Sequence, residues 1–351
     1  MSIKVIQWAT GTVGIHATPA IARHPEMDLV GLWVHSPDKA GRDAGDICGV
    51  ESLGVTATND RESLLGLGAD CICYMASSDV RPGEVINELA EMLARGHNVV
   101  NTSFVPLLSP KAAGRGVYEQ LQGACIEGGT SLYTSGLDPG YGNVGLAVNA
   151  MALCEEVHTV RMMEIVNYAT WDQPFTMFEI MGFGKSDPSQ SLLLAPGSTA
   201  MAWGPVVELV AESLGVTLDR IEEWHEVIRA DEPIEIASGT IPVGGISGMR
   251  FEIRGIIGDE GRIAVEHVTR LRDTDAPEWP QGGGYRIVID GEPSLQLELE
   301  MSTTRGDHNF AGCLGTAMHV INAIPHVVAA EPGVLTYLDL PVYTAKGLMK
   351  R

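Results

Sequence analysis

Basic residues are scarce in this chain. Lys and Arg number 23 against 45 Asp and Glu, a formal net charge of −22. Such a surface repels phosphate backbones and anionic lipid, so nucleic acid and membrane are excluded as expected partners. A small anionic cofactor needs only a local positive site and stays open. Aromatics are sparse as well, at 6%. The six tryptophans do not interleave with basic clusters, which leaves them as core or rim residues. The six cysteines (Cys48, Cys71, Cys73, Cys125, Cys154 and Cys313) form no CxxC pair and no regular framework. Reduced thiols in a cytoplasmic protein are therefore expected. HExxH is absent and the ten histidines are scattered, so no metal site is expected. Gly245-Ile246-Ser247-Gly248 stops one residue short of a nucleophile elbow, which argues against a hydrolase. The opening MSIKVIQWATG has no apolar leader region. Residues 188–207 are uncharged and long enough to span a bilayer, but Pro196, Gly197, Pro205 and several serines break the run.

What is present is a globular composition, 45% hydrophobic and 19% charged over 351 residues. At roughly 150 residues per domain, about two domains are expected. Strand and helix signals alternate through the first part. Strands are expected at 4–9, 29–35, 71–75, 97–101 and 131–135, with helices at 12–23, 60–67 and 82–95. That alternation means a parallel sheet with helices on both faces. Strand patterns at 159–168, 235–241, 248–257, 262–271, 284–289 and 295–301 then predict a mixed or antiparallel sheet. The methionine-rich, charge-poor stretch 174–213 reads as a helical insertion on that sheet or as a pocket wall. A last helix spans 309–330. The fold class is thus α/β: a Rossmann sheet, then a second α+β domain with a mixed sheet. The expected boundaries are 1–145, 146–308 and 309–351.

Two glycine loops compete for a dinucleotide. Ala9-Thr10-Gly11-Thr12-Val13-Gly14 follows the first strand and opens the first helix, matching G-x-G-x-x-G except at Ala9. Gly140-Tyr141-Gly142-Asn143-Val144-Gly145 matches throughout, but the turn at 136–139 separates it from its strand. Pyrophosphate binding needs bare backbone at a strand tip, facing a helix N-terminus, so the first loop is preferred. After the second strand comes His35-Ser36-Pro37-Asp38-Lys39, with Arg42 beyond. A hydroxyl, an imidazole and two cations suit a 2′-phosphate, favouring NADP(H). NAD(H) remains the alternative, with Asp38 as ribose acceptor.

The runs QWATGTVG, VGLWVHSPDKAGRDAG, SGLDPGYGN and GDHNFAG together resemble the dihydrodipicolinate reductase-like superfamily. They are closest in pattern to its 2,4-diaminopentanoate dehydrogenase and native amine dehydrogenase branch. The resemblance covers nearly the whole chain. It implies a Rossmann domain closed by the C-terminal helix, a substrate and dimerisation domain, and a homodimer. It also implies reversible hydride transfer between a nicotinamide and an imine carbon of a small-molecule substrate. Carried over by residue, Thr10, Gly11, Thr12, Val13 and Gly14 hold pyrophosphate. His35, Ser36, Lys39 and Arg42 face the adenosine ribose, and Ala76 and Ser77 border the cofactor. Asp138, Pro139 and Asn143 lie beside the nicotinamide, and Asn309 caps the returning helix near it. Phe104, Tyr141, Asn167, Tyr168 and His267 line the substrate cavity.

The branch places a glutamate in the loop after the fourth strand to engage ammonia. Here that loop reads Asn101-Thr102-Ser103-Phe104-Val105-Pro106. Glu164, Asp172 and Glu266 are the candidate substitutes. His267, Tyr168 and Glu164 are the expected catalytic residues, since an imidazole or phenol can exchange the proton that accompanies hydride transfer. Without the loop carboxylate, a carbonyl reductase and a catalytically silent dinucleotide-binding protein stand as alternatives. The apolar runs at 177–183, 192–194 and 201–203 predict a bulky hydrophobic substrate if they roof the site, and say nothing of substrate if they form a subunit interface.

Overall fold

The computed structural model describes residues 2–78 and 81–349. In chain order its strands and helices are β1 (Ile3–Trp8), α1 (Gly14–Arg23), β2 (Met27–Trp33), α2 (Ala44–Cys48), β3 (Ala57–Thr58), α3 (Arg61–Leu65), β4 (Cys71–Tyr74), α4 (Pro82–Ala94), β5 (Asn98–Asn101), α5 (Arg115–Gly128) and β6 (Ser131–Thr134). There follow α6 (Leu146–Met151), β7 (Glu156–Asn167), α7 (Ser198–Ser213), β8 (Arg220–Arg229), β9 (Ile234–Ile236), β10 (Gly239–Ile241), β11 (Ile246–Ile257), β12 (Glu260–Arg270), β13 (Gly284–Glu292), β14 (Leu295–Leu299), α8 (His308–Val328) and β15 (Gly333–Leu335).

The chain divides into two units. The first comprises 1–137 and 313–351, the second 138–312. The turn 138–145 groups with the second unit, and the later division falls inside α8.

Unit 1 is a seven-stranded parallel sheet in the order β15-β6-β5-β4-β1-β2-β3. The order reverses at β1/β4, the switch point where doubly wound folds bind ligands at the strand carboxyl ends. The β1, β2 and β4 runs are buried on both faces, as a covered parallel sheet requires. α8 is long and apolar enough to cross a bilayer. In this fold its Ala317, Val320, Ile321, Ile324 and Val327 pack instead against Val5, Ile21, Cys73 and Val100, closing one face of the sheet.

Unit 2 holds a six-stranded mixed sheet, β14-β13-β7-β12-β11-β8, parallel only at β7/β12. The expected strand 235–241 is instead the short hairpin β9/β10, turned at Ala237-Ser238. Within the methionine-rich segment Met177, Met181, Phe183 and Leu194 are buried, while Phe175, Leu192 and Met201 are exposed. Part of that run is therefore core of unit 2.

Candidate active site

Side chains alternate between the two faces of a strand, and directly paired residues of neighbouring strands share a face. In unit 2 the register pairs His225 with Phe251, Phe251 with His267, His267 with Glu164, and Glu164 with Tyr285. One row across five strands thus carries two histidines, an acid and a phenol on the same face. α7 covers that row with Trp203, whose ring lies 4.4 Å from the His267 ring and 5.2 Å from Phe251. Phe251 stacks on the imidazole at 4.7 Å and 11°. The imidazole is therefore walled by two adjoining aromatic rings.

The turn at the start of unit 2 adds Asp138. Asn143 shapes it: its Oδ1 accepts from the Gly140 and Val144 amides, and its Nδ2 donates to Asp138 Oδ1 at 2.9 Å. Gly145 lets the Tyr141 ring pack close, since a Cβ there would lie 2.6 Å from it. Trp203 Nε1 donates to the same Asp138 oxygen at 2.7 Å. The second glycine motif is thus the platform of a carboxylate.

His267 lies between two acids. Its Nδ1 is 3.2 Å from Glu164 Oε2, and its Nε2 is 3.3 Å from Asp138 Oδ2. The Nε2 atom is fully enclosed and makes no aligned hydrogen bond. Glu164 is saturated: the Tyr285 hydroxyl donates to Oε1 at 3.0 Å and the Tyr168 hydroxyl to Oε2 at 3.1 Å. Burial pushes the Asp138 carboxyl up to about 6, reinforced by the Glu164 charge and opposed by His267. Burial alone would depress His267, but Asp138 and Glu164 outweigh it and hold the imidazole above its ordinary value. Burial would raise Glu164, but the His267 bond and charge and the two tyrosines hold it low. The three groups share protons as one unit. Their donor atoms lie within 4.8 Å of one another, yet imidazole, phenols, indole and amide already meet these oxygens. This is the chemistry of a proton-holding cluster.

Several expected residues fall elsewhere. Asn167 sits one residue out of phase with Glu164 and His267, so its side chain leaves from the opposite face and donates to Asp273. The capping side chain of α8 is Asp307, which accepts from the Phe310 amide. Asn309 instead donates to the Asn167 carbonyl and to Thr170. Of the candidate substitute acids, Glu266 alternates onto the far face and pairs with Arg161 and Arg250, and Asp172 is exposed. Asp138, Tyr285, Phe251 and Trp203 were not legible as one site, because strand register and the placement of α7 bring them together.

In unit 1 the first glycine loop has the geometry a dinucleotide needs. It leaves β1 at the switch point, and Ala9 takes φ 76°, the conformation for which the fingerprint places glycine. A Cβ on Gly14 would lie 2.2 Å from the Ala9 carbonyl oxygen, whereas one on Gly11 would meet nothing within 4 Å. The helix packs tightly at Gly14, and Gly11 presents bare backbone. Ile15 makes the first helical bond, to Gly11, so the amides just before it form the positive end of α1. After β2, Lys39 reaches back to Thr10, with Nζ 3.2 Å from Oγ1, and Ser36 accepts from the Lys39 amide. His35 and Arg42 are exposed in the same loop. Ala76 and Ser77 follow β4 at the other side of the switch point. Phe104 is half-buried against the core of unit 1.

A phosphate loop at a Rossmann switch point, in one chain with a buried acid–base cluster, is the equipment of a nicotinamide-dependent oxidoreductase. Residues 145–350 match the 2,4-diaminopentanoate dehydrogenase C-terminal domain family. The chain is 35% identical to an amine dehydrogenase of Streptomyces virginiae over 99% of both chains. It is 22% identical to 2,4-diaminopentanoate dehydrogenase of Acetoanaerobium sticklandii, over 97% of this chain and 94% of that one. The structure of an amine dehydrogenase from Mycobacterium smegmatis shares the fold, with a TM-score of 0.79 at 20% identity over 98% of this chain and 97% of that one. This chain belongs to the 2,4-diaminopentanoate dehydrogenase family.

Proposed function

We propose that this chain interconverts hydrophobic amines and their imines or ketones by hydride exchange with a nicotinamide dinucleotide. The observation that carries the reading is the buried Asp138–His267–Glu164 cluster, set in a chain 35% identical to an amine dehydrogenase. When bound, the dinucleotide supplies or takes the hydride. Thr10, Gly11, Thr12, Val13 and Gly14 hold its pyrophosphate, and Ala76 and Ser77 border it. Lys39, Arg42, Ser36 and His35 face the adenosine ribose. Two cations within one loop support NADP(H) over NAD(H), since a 2′-phosphate needs positive partners. The chain's own work is to hold the substrate, exclude water and move the accompanying proton through His267. Trp203 and Phe251 against the imidazole support a hydrophobic substrate, with Tyr141 and Tyr168 as further lining.

Six free cysteines support a cytoplasmic location. The sheet face opposite His267 supports a homodimer through unit 2. There Glu252 and Glu266 are buried beneath Arg161 and Arg250, and Trp224 is exposed.

Phe104 in place of an acid favours carbonyl reduction as a second reading. Oxidation of NADPH by a panel of hydrophobic ketones, with and without ammonium, separates the two. Amine formed only with ammonium is the expected result. Alcohol formed without ammonium would establish the carbonyl reductase, and binding without turnover a silent dinucleotide-binding protein.

A further inference from the structure

Among Glu164, Glu252, Glu266 and Asp138, only Asp138 keeps an oxygen without an aligned hydrogen bond from the described residues. Both oxygens of Glu164 are taken, by Tyr285, Tyr168 and His267 Nδ1. Glu266 and Glu252 are tied to arginines on the far face. Asp138 divides differently. Oδ1 accepts from Trp203 and Asn143, while Oδ2 meets, among the described residues, only the misaligned Nε2 of His267 at 3.3 Å. That Nε2 lacks a hydrogen bond in a side chain only 4% exposed. A buried nitrogen one partner short is costly unless something completes it, and the Asp138 oxygen beside it accepts no aligned hydrogen bond from the described residues. The completing group has a definable charge. With His267 protonated and both acids ionised, the cluster carries one net negative charge away from bulk water. A cation neutralises it, and a neutral carbonyl does not.

We propose that Asp138 is the carboxylate that holds the substrate's ammonium nitrogen and takes its proton, replacing the acid that the loop at Phe104 lacks. This rests on the amine reading above. In the step assigned to the chain, an N–H bond of the ammonium breaks and an O–H bond forms at Asp138 Oδ2. The electron pair stays on nitrogen, and its availability makes the adjacent C–H carbon a hydride donor. His267 Nε2, 3.3 Å away, takes the proton on only after the imidazolium has released its own. Glu164 is a positioning residue: clamped by two phenols, it fixes the imidazole through Nδ1. Burial lifts Asp138 to about 6, so its carboxyl takes up a proton more readily than an ordinary aspartate.

The test compares the wild type and Asp138→Asn, both loaded with NADP+, using a hydrophobic primary amine and the alcohol of the same skeleton. For the wild type, calorimetry should give at least about tenfold tighter binding of the ammonium than of the alcohol. Asp138→Asn should abolish that preference while NADP+ affinity stays within about twofold, and kcat for amine oxidation should fall by on the order of a hundredfold. If the variant does not fold, the wild-type preference for ammonium over alcohol still decides, and its absence overturns the proposal. Amine turnover by the wild type together with unchanged amine affinity and kcat in Asp138→Asn would overturn the proposal and leave the amine reading standing. No turnover of any amine by the wild type would overturn both.

Discussion

Trp203 Nε1 donates to Asp138 Oδ1 at 2.7 Å while its ring lies 4.4 Å from that of His267. One indole on α7 thus aims a carboxylate and walls in the imidazole beside it. Trp203→Phe keeps an aromatic wall and removes the donor. Since that bond favours the ionised acid, the Asp138 carboxyl should rise further. Amine oxidation should fall about tenfold, and the acid limb of its pH profile should move to higher pH. Steady-state rates across pH check this.

The pH dependence of the wild type follows from the groups around Asp138, namely His267, Glu164, Trp203 and Asn143, with Tyr168 and Tyr285 behind Glu164. Amine oxidation needs Asp138 ionised, so kcat/KM should rise as pH increases through about 6. Stability moves the other way. The folded chain keeps the Asp138 proton at pH values where the unfolded chain has lost it, so stability falls as pH rises from the ordinary aspartate range to about 6. His267, also raised, loses its contribution as pH climbs through its folded value. Denaturant melts over this range should show the decline, and Asp138→Asn should flatten the lower part.

Lys39 reaches the first glycine loop at Thr10, and the NADP(H) proposal has it meet the 2′-phosphate. Lys39→Ala should weaken NADP+ on the order of tenfold and NAD+ about twofold or less, with the NADP+ loss shrinking at high salt. Titration calorimetry with both dinucleotides measures the ratio.

Gly14 tests the loop itself. A methyl group there meets the Ala9 carbonyl oxygen at 2.2 Å, so Gly14→Ala must push α1 away from β1. The strain should cost about 1–3 kcal/mol and lower dinucleotide affinity, whereas Gly11→Ala, facing open space, should lose affinity with little change in Tm. Thermal melts with and without NADP+ separate the two effects.

The Rossmann half was legible because its signals are local. A glycine loop, a strand before it and a helix after it lie within twenty residues, and their buried runs are continuous. α5 escaped notice because Gly116, Gly123 and Gly128 interrupt its pattern, and β8 because Glu222, Glu223 and Glu226 give an edge strand a polar look. In the site, His267, Tyr168 and Glu164 were named from residue type and resemblance. Asn167 stands one step of strand alternation from Glu164, on the opposite face. The contacts of Asp138 are not legible in the sequence because its partners lie 65 and 129 residues downstream, at Trp203 and His267. No periodicity in the chain reports the register of β7, β12 and β13 that assembles them.

The account turns on hydride leaving a carbon that bears nitrogen. Incubating the protein with NADP+ and a hydrophobic amine deuterated at that carbon, then analysing the nucleotide by mass spectrometry, measures this directly. One deuterium on the reduced nicotinamide, matched by one ammonia released, is the predicted result. Nucleotide that binds yet stays free of deuterium would contradict the account.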